Sequence, residues 1–188
     1  MDSRLEAFVA ECDCLARTHA GAGEYVARAA PRMLDLAAMG LDLLSPEQRR
    51  DDPRSYARNA LHLGSQRGVS LFALVWRPGQ WTPIHDHGTW GVVGVLEGVL
   101  EERSFVPRSY EVDDADAIEL LPGGISLLSP GSVSTFVPNP DHIHMTGVPE
   151  DRETAVSLHV YGRLMNSYHF YDRDAGTRRL VAVEHFES

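Results

Sequence analysis

The sequence contains no lysine, because all 17 of its basic residues are arginines. A Schiff base on lysine, attachment of pyridoxal phosphate and a P-loop lysine are therefore excluded. Cysteine is also scarce, and the two that occur, Cys12 and Cys14, lie close together. Such a pair supplies neither a disulfide framework nor a zinc site by itself, which favours a reduced, cytoplasmic protein.

Basic charge and long hydrophobic runs are limited as well. The net charge of −10 at pH 7 disfavours sequence-independent binding to nucleic acid or to an anionic membrane. No run approaches the roughly 18 apolar residues that span a bilayer, and the N-terminal residues do not resemble a signal peptide. What remains is chemistry run by histidine, carboxylate, tyrosine, arginine or a metal ion.

The pattern along the chain predicts one mainly β domain over residues 1–188. Apolar residues at helical spacing predict two helices, in a layer that extends over residues 1–66. Asp2 or Ser3 is placed to cap the first helix, and Pro31 to start or kink the second.

From residue 67 to residue 188 the sequence changes to short β-branched and aromatic runs separated by glycine and proline. This pattern predicts five to seven antiparallel strands in a sandwich or barrel. A final hairpin is expected across residues 174–176, where Asp-Ala-Gly separates two apolar segments.

Among the nine histidines, the pair in PIHDHGTW is the most informative. His85 and His87 are two residues apart, so on a strand both side chains leave the same face, as converging metal ligands must. Imidazole suits iron, zinc, copper or nickel. A third ligand has to come from another segment, and the candidates are His142, His144 and His159. Since His142 and His144 share a face, spacing alone does not separate them.

The surroundings of this pair are similar to the first motif of the cupin superfamily, G-x5-H-x-H-x3-4-E-x6-G. Gly79, both histidines and Gly98 fall in register with that motif. The glutamate of the motif is replaced by Gly91. The resemblance therefore implies a neutral site with at most three histidines and room for exogenous ligands.

Three further segments resemble the thiol dioxygenase branch of the cupins, typified by cysteine dioxygenase. SLHVY is similar to the S-x-H-x-Y triad of that family, and it supplies Ser157, His159 and Tyr161. The family has a histidine 15 residues before the triad histidine, a spacing that selects His144. YARN at residues 56–59 is similar to the family's Y-x-R-N. The resemblance implies a double-stranded β-helix (jelly-roll) barrel with an N-terminal helical layer.

The resemblance also implies a metal centre and a substrate clamp. Fe(II) would be held by His85, His87 and His144, with O2 and a small thiol as the partners and a sulfinate as the product. Arg58, with Tyr56 two residues before it, would bind the substrate carboxylate, because a guanidinium pairs with a carboxylate through two parallel hydrogen bonds.

The triad would act as a relay in the same site. Ser157, His159 and Tyr161 alternate along a predicted strand, so they share one face. Such a relay can set the tautomer of the histidine and aim the tyrosine hydroxyl at the substrate. Because no acidic orienting partner or nucleophile elbow accompanies it, a hydrolase triad is disfavoured.

The identity of the thiol depends on the cations near the site. In the family, arginine at the position of Arg58 favours cysteine and glutamine favours 3-mercaptopropionate, so this chain resembles the bacterial, arginine-type members. Gly91 stands where animal enzymes carry a cysteine, so no thioether to Tyr161 can form. Arg163 is a candidate second cation, which would suit a dicarboxylate such as mercaptosuccinate.

Two other classes of function stay open at this level. A non-catalytic cupin that senses a metal would need the histidines but not Ser157 or Tyr161. A zinc or nickel cupin isomerase is disfavoured, because such sites commonly keep the motif glutamate. The sequence is compatible with a monomer or a small homo-oligomer.

Overall fold

The computed structural model describes residues 1–17, 21–64, 68–109, 117–138 and 142–183. Within them the chain forms two α-helices, two short 3-10 helices and eleven strands. None of the helices in these ranges is both long enough and apolar enough to cross a membrane.

The helices precede the barrel. They are α1 (Ser3–Ala16), α2 (Ala22–Ala37) and the 3-10 turns Gly40–Leu43 and Glu47–Arg49. Asp2 caps α1 by accepting a hydrogen bond from the backbone N–H of Arg4, which confirms one of the two predicted caps. Pro31 lies inside α2 and does not start it. Residues 18–20, the end of the first predicted helical segment, lie outside the described residues.

Two antiparallel sheets form the barrel. The strands are β1 (Ala57–Leu63), β2 (Ser70–Trp76), β3 (Ile84–His85), β4 (Gly91–Glu97), β5 (Leu100–Pro107), β6 (Leu120–Leu128), β7 (Val133–Phe136), β8 (Ile143–Gly147), β9 (Ala155–Tyr161), β10 (Ser167–Asp172) and β11 (Thr177–Ala182). One sheet has the order β1-β2-β9-β4-β7 and the other β11-β10-β3-β8-β5-β6. This is the double-stranded β-helix of a cupin with an N-terminal helical layer, so the predicted fold class is confirmed.

The predicted boundary at residue 66 is wrong, because β1 lies inside the layer that was expected to be helical. This strand pairs antiparallel with β2, with Arg58 opposite Leu74. Every residue of β1 is only partly buried, so no apolar alternation marks it in the sequence. As the edge of the five-stranded sheet, β1 brings Arg58 onto the barrel.

The five-stranded sheet is covered on both faces. All residues of β2 and β9 are buried. On β9, Val156, Leu158 and Val160 pack in one apolar cluster with the helices. The alternate residues of the strand face the barrel interior, because side chains leave a strand on opposite sides in turn. His159 and Tyr161 consequently line an interior cavity.

Candidate metal centre

Three histidines converge inside the barrel. His85 ends β3 and lies opposite His144 of β8 in the antiparallel register. His87 follows β3 at a turn, where Gly88 has a φ of +57°. The ring centroid of His85 lies 4.7 Å from those of both other histidines, and those of His87 and His144 are 5.0 Å apart. One nitrogen of each buried ring lies within 4.8 Å of the others, so the group can hold a metal ion.

The hydrogen bonds of the rings leave nitrogens free for a metal. His85 donates from Nδ1 to the carbonyl oxygen of Pro83 at 3.0 Å, and His144 donates from Nδ1 to the carboxylate of Glu102 at 3.0 Å. Among the described residues, Nε2 of His144 and Nδ1 of His87 are buried and have no hydrogen-bond partner. Since buried polar atoms normally have partners, a cation held between the rings fits these atoms.

Burial also keeps these rings neutral. It lowers the pKa of His85 and of His87 well below the ordinary value, and repulsion from the neighbouring imidazoles acts in the same direction. Burial lowers the pKa of His144 as well, although its hydrogen bond to Glu102 opposes the shift. A neutral imidazole is the form that binds a metal.

The structure separates His144 from His142. His142 lies outside the three-histidine group, with Nε2 3.2 Å from Nδ1 of His144 and 3.5 Å from Oε1 of Glu102. Its ring stacks on Phe136, with centroids 5.3 Å apart and an interplanar angle of 5°. His142 therefore lies behind the group, next to the carboxylate that His144 contacts.

Ser157, His159 and Tyr161 form a connected chain of hydrogen bonds. Ser157 Oγ is 2.8 Å from His159 Nε2, and His159 Nδ1 is 3.2 Å from Tyr161 Oη. The indole N–H of Trp76, which can only donate, donates to Ser157 Oγ at 3.0 Å. If Ser157 donates its own proton to Nε2 of His159, then Nδ1–H of the same ring donates to Tyr161 Oη. This direction leaves the hydroxyl proton of Tyr161 for a group in the cavity.

The same burial sets the protonation of the relay. Burial lowers the pKa of His159 to about 3, so its ring is neutral at physiological pH. Burial raises the pKa of Tyr161 well above its ordinary value, so the phenol keeps its proton. The Tyr161 ring lies against His87, with centroids 5.3 Å apart. A neutral hydroxyl is thus held next to the three-histidine group.

Arg58 and Tyr56 line the cavity that contains the histidines and the relay. Arg58 donates from Nη1 to Tyr168 Oη at 3.3 Å, and its guanidinium carbon lies 4.8 Å from the ring centre of Phe72. Tyr56 stacks on Trp76 at 4.7 Å, and burial raises the pKa of Tyr56 to about 12. No aspartate or glutamate occurs among the described residues that line this cavity.

The cavity is narrow, at about 30 Å³. A larger groove of about 750 Å³ is lined by sequence neighbours of the metal-binding residues, such as Ile84 and Met145, but it contains none of the three histidines and opens to solvent. We assign the chemistry to the smaller cavity, because the metal-binding nitrogens, the relay and Arg58 meet there.

Arg163 does not supply a second cation to the cavity. Its Nη2 donates to the carbonyl oxygens of His87 at 2.9 Å and of Ser167 at 2.5 Å. The guanidinium thus joins the turn that carries a metal-binding histidine to the start of β10, and it is absent from the cavity lining.

A buried carboxylate fixes the same turn from another direction. Asp86, which lies between His85 and His87, accepts hydrogen bonds from the backbone N–H and Nδ1 of His169 at 3.0 and 2.9 Å. It also accepts one from the hydroxyl of Tyr171 at 2.8 Å. The side chain therefore points away from the metal group and anchors the turn to β10.

A family model described as cysteine dioxygenase type I matches residues 48–174, more than half of the chain. The chain belongs to the cysteine dioxygenase type I family. Membership makes it a dioxygenase, and the three-histidine group is of the kind that such enzymes use. The family expected from the sequence is thereby confirmed.

Several solved structures are similar in fold. They include the TT1209 protein of Thermus thermophilus, with 20% identity, a TM-score of 0.44, and 62% of this chain and 90% of that chain covered. A double-stranded beta-helix domain protein of Klebsiella pneumoniae has 16% identity and a TM-score of 0.46, with 64% and 81% covered. A cupin-like protein of Thermotoga maritima has 16% identity and a TM-score of 0.41, with 60% and 74% covered. At these values the similarities carry no information about activity.

The structure explains why this member of the cysteine dioxygenase family has a glycine in place of the motif glutamate. Gly91 on β4 lies opposite Phe136 on β7, and a Cβ at Gly91 would be 2.2 Å from Cζ of Phe136. That phenyl ring stacks on His87, with centroids 4.3 Å apart. The aromatic ring therefore occupies the space into which a side chain at position 91 would extend.

Four residues at this site of the dioxygenase were not predicted: Trp76, Glu102, Tyr168 and Phe136. Trp76, Glu102 and Tyr168 each contact a predicted residue from a distant part of the chain. Trp76 lies 81 residues from Ser157, Glu102 lies 42 from His144, and Tyr168 lies 110 from Arg58. Phe136 meets His87 through the pairing of β4 with β7. The sheet register creates these contacts, and no local pattern in the sequence marks them.

Proposed function

We propose that this member of the cysteine dioxygenase family oxidises a small carboxylate-bearing thiol to its sulfinate, with cysteine as the preferred substrate. The reaction RSH + O2 → RSO2⁻ + H⁺ is balanced without a further co-reactant, because the electrons lost by sulfur are gained by the two oxygen atoms of O2. The observation that carries the proposal is one cavity lined by Arg58, by Tyr161 and by the three histidines.

Fe(II) is the proposed metal, held by His85, His87 and His144. Three neutral imidazoles suit this ion and leave the centre able to accept an anionic thiolate without accumulating negative ligands. When bound, the iron would supply the redox chemistry that joins O2 to the thiolate sulfur. The buried nitrogens of His87 and His144 that have no partner among the described residues support the presence of a cation here.

Arg58 is proposed to hold the carboxylate of the substrate. With no acidic residue among the described lining residues, its guanidinium charge is not neutralised within the cavity. Tyr168 occupies Nη1, which limits rotation of the guanidinium while other N–H groups stay available. A carboxylate fixed in this way would direct the thiol toward the three histidines that line the same cavity.

Tyr161 is proposed to donate its hydroxyl proton in a hydrogen bond to the substrate. In the proposed direction, Trp76 donates to Ser157, Ser157 to His159 and His159 to Tyr161, so the phenol proton stays directed to the cavity. Burial keeps that proton on the phenol. The relay would therefore supply a positioned neutral donor, with His159 in a fixed tautomer behind it.

The surroundings of the clamp favour a monocarboxylate. Arg163, the candidate partner for a second carboxylate, is bound to two carbonyl oxygens outside the cavity lining, which argues against mercaptosuccinate. A substrate ammonium finds no acidic partner among the described lining residues, so protein recognition rests on the carboxylate. Cysteine and 3-mercaptopropionate share that group, and Arg58 favours cysteine by the family pattern.

The test is anaerobic reconstitution with Fe(II), followed by O2 consumption and sulfinate quantification. The panel contains cysteine, 3-mercaptopropionate, mercaptosuccinate and cysteamine, which lacks a carboxylate. We expect rapid uptake with cysteine, sulfinate equal to the O2 consumed, and slow turnover of cysteamine. Bound iron without O2 consumption for any of the four thiols would contradict the proposal and favour a metal-binding sensor.

A further inference from the structure

Glu102 is a buried carboxylate on β5 that faces the metal-binding group from behind. Its side chain is 10% exposed. One oxygen, Oε2, accepts the proton of His144 Nδ1 at 3.0 Å, while Oε1 lies 3.5 Å from Nε2 of His142.

A carboxylate in this position controls how His144 can bind a metal. Because the carboxylate accepts from Nδ1, the ring keeps its proton there and offers Nε2, which is buried and has no partner in the part of the chain that the structure describes. The negative charge also makes the imidazole a stronger donor to a cation. The corresponding nitrogen of His85 contacts the uncharged carbonyl oxygen of Pro83, whereas His144 has a charged partner.

His142 connects this carboxylate to a second metal-binding histidine. Its imidazole approaches Glu102 on one side and stacks on Phe136 on another. Phe136 in turn stacks on His87, with centroids 4.3 Å apart. The partly exposed imidazole of His142 thus contacts both Phe136, which stacks on His87, and Glu102, which accepts a hydrogen bond from His144.

We infer that Glu102 and His142 form an outer carboxylate–imidazole pair that positions His144 as an Nε2 ligand and supplies negative charge to the metal centre. Glu102 thereby gives the site a carboxylate although the motif position is Gly91. The inference rests on the proposed metal centre and does not depend on which thiol is oxidised. Both members act through His144 and are positioning residues.

Glu102, His142 and His144 could also bind a cation among themselves, since one ligand atom of each lies within 4.8 Å of the others. The hydrogen bonds favour the positioning role, because Nδ1 of His144 must carry a proton to donate to the carboxylate. That nitrogen is then unable to bind a second metal. Metal stoichiometry distinguishes the two arrangements.

The experiment measures Co(II) binding to the metal-free chain by visible absorption, for the wild type, Glu102→Gln and His142→Asn. Outer-sphere partners of histidine ligands change metal affinity by roughly 10- to 100-fold, so we expect a weakening of that size for Glu102→Gln. His142→Asn keeps the carboxylate and is expected to weaken binding by about two- to fivefold. The matched control is Glu101→Gln, since Glu101 neighbours Glu102 on β5 but pairs with Arg103 at 2.7 Å.

A second measurement, the midpoint potential of the bound iron, tests the negative charge of Glu102 separately from its effect on affinity. With iron bound, Glu102→Gln is expected to raise the Fe(III)/Fe(II) midpoint potential, because a nearby negative charge that stabilises Fe(III) is removed. A merely structural role would leave this potential unchanged in folded protein, and urea unfolding identifies variants that do not fold. If Glu102→Gln does not fold, wild-type affinity in His142→Asn overturns the inference.

Wild-type affinity and potential in folded Glu102→Gln, or two Co(II) ions per wild-type chain, would also overturn it. Loss of affinity in Glu102→Gln alongside an absence of thiol oxidation in the wild type would support the pair while removing the proposed reaction.

Discussion

Arg58 reaches the cavity from an edge strand, and it is the one arginine among the described residues that line it. Its guanidinium is held between the hydroxyl of Tyr168 and the face of Phe72. A cation that is already partly ordered loses less conformational entropy when it binds a carboxylate. At the scale of single residues, selection among thiols is therefore expected to depend on Arg58 and on the group that holds it.

Replacing Arg58 with glutamine should lower kcat/KM for cysteine by roughly 10- to 100-fold, because a hydrogen-bonded charge contributes about 1.5–3 kcal/mol. Steady-state O2 consumption measures the loss. Cysteamine, which has no carboxylate, should change little, and Arg77→Gln, at an exposed arginine paired with Asp51, serves as the control. An unchanged order of preference among the thiols would refute the carboxylate clamp.

Replacing Tyr168 with phenylalanine removes the hydroxyl that accepts from Arg58 and keeps the ring. We expect KM for cysteine to rise about three- to tenfold with a smaller change in kcat, since one hydrogen bond contributes about 1 kcal/mol. The control is Tyr25→Phe, because Tyr25 stacks on Trp90 in the helical layer. An effect on kcat alone would assign Tyr168 to the chemistry and not to the clamp.

Local spacing was sufficient for His85 and His87, because both belong to one short segment. His144 required the family spacing, since His142 is two residues away and its side chain is expected on the same face of the strand. Glu102, Trp76 and Tyr168 were inaccessible to sequence reasoning, because each meets its partner only after strands have paired in register. The sequence therefore predicts the atoms that would touch a metal better than the residues that orient them.

At the scale of elements, β4 and β7 fix the space beside His87. Gly91 lies opposite Phe136, whose ring fills the region above the glycine. Strand pairing thus determines both the absence of a side chain at position 91 and the stacking of the phenyl ring on His87. A larger side chain at Gly91 is therefore expected to displace the Phe136 ring and, with it, the His87 imidazole that the ring stacks on.

Replacing Gly91 with alanine should destabilise the protein by about 1–3 kcal/mol, because the new methyl group overlaps Phe136. The displaced ring should also weaken Co(II) binding through His87. Urea unfolding and Co(II) titration measure the two effects. Gly124→Ala is the matched strand control, since a Cβ there would have Ser104 Oγ as its nearest neighbour at 3.8 Å. Wild-type stability of Gly91→Ala would show that the ring can move aside at no cost.

Among the elements, those with strong local patterns were predicted best. The C-terminal hairpin is confirmed by the pairing of β10 with β11, in which Asp172 lies opposite Thr177 and Gly176 has a φ of +65°. β1 was missed because its side chains are half-buried at a sheet edge and show no period. The barrel also has more strands than the five to seven predicted, since segments as short as β3 lack a recognisable pattern.

At the scale of the whole molecule, the interior keeps four histidines neutral, namely His85, His87, His144 and His159. In the unfolded chain these rings take up protons near their ordinary pKa of 6.5, whereas burial lowers the pKa of folded His159 to about 3. Between these values the unfolded state binds more protons than the folded state. The contribution of these histidines to the free energy of unfolding is therefore fully present above this pH range and is lost as the pH falls through it.

We expect the free energy of unfolding of the metal-free protein to fall as the pH drops below 6.5. The slope is at most about 1.4 kcal/mol per pH unit for each histidine. Urea unfolding at a series of pH values measures it, and His159→Gln should give a shallower dependence than the wild type. A free energy that stays constant from neutral pH down to about 5 would contradict this assignment, because carboxylates contribute mainly below that pH.

The two-sided burial of β9 has a consequence for how the sequence can vary. Ser157, His159 and Tyr161 alternate with valine and leucine residues that contact the helices. The inward and outward directions of both sets of side chains are therefore fixed by the same alternation along the strand. Deleting or inserting a single residue before Ser157 would exchange the sets, turning aliphatic side chains into the pocket and imidazole and phenol toward the helices. Insertions or deletions in this strand are thus tolerated only when they change its length by two residues, whereas substitutions within either set do not alter which side chains face the cavity.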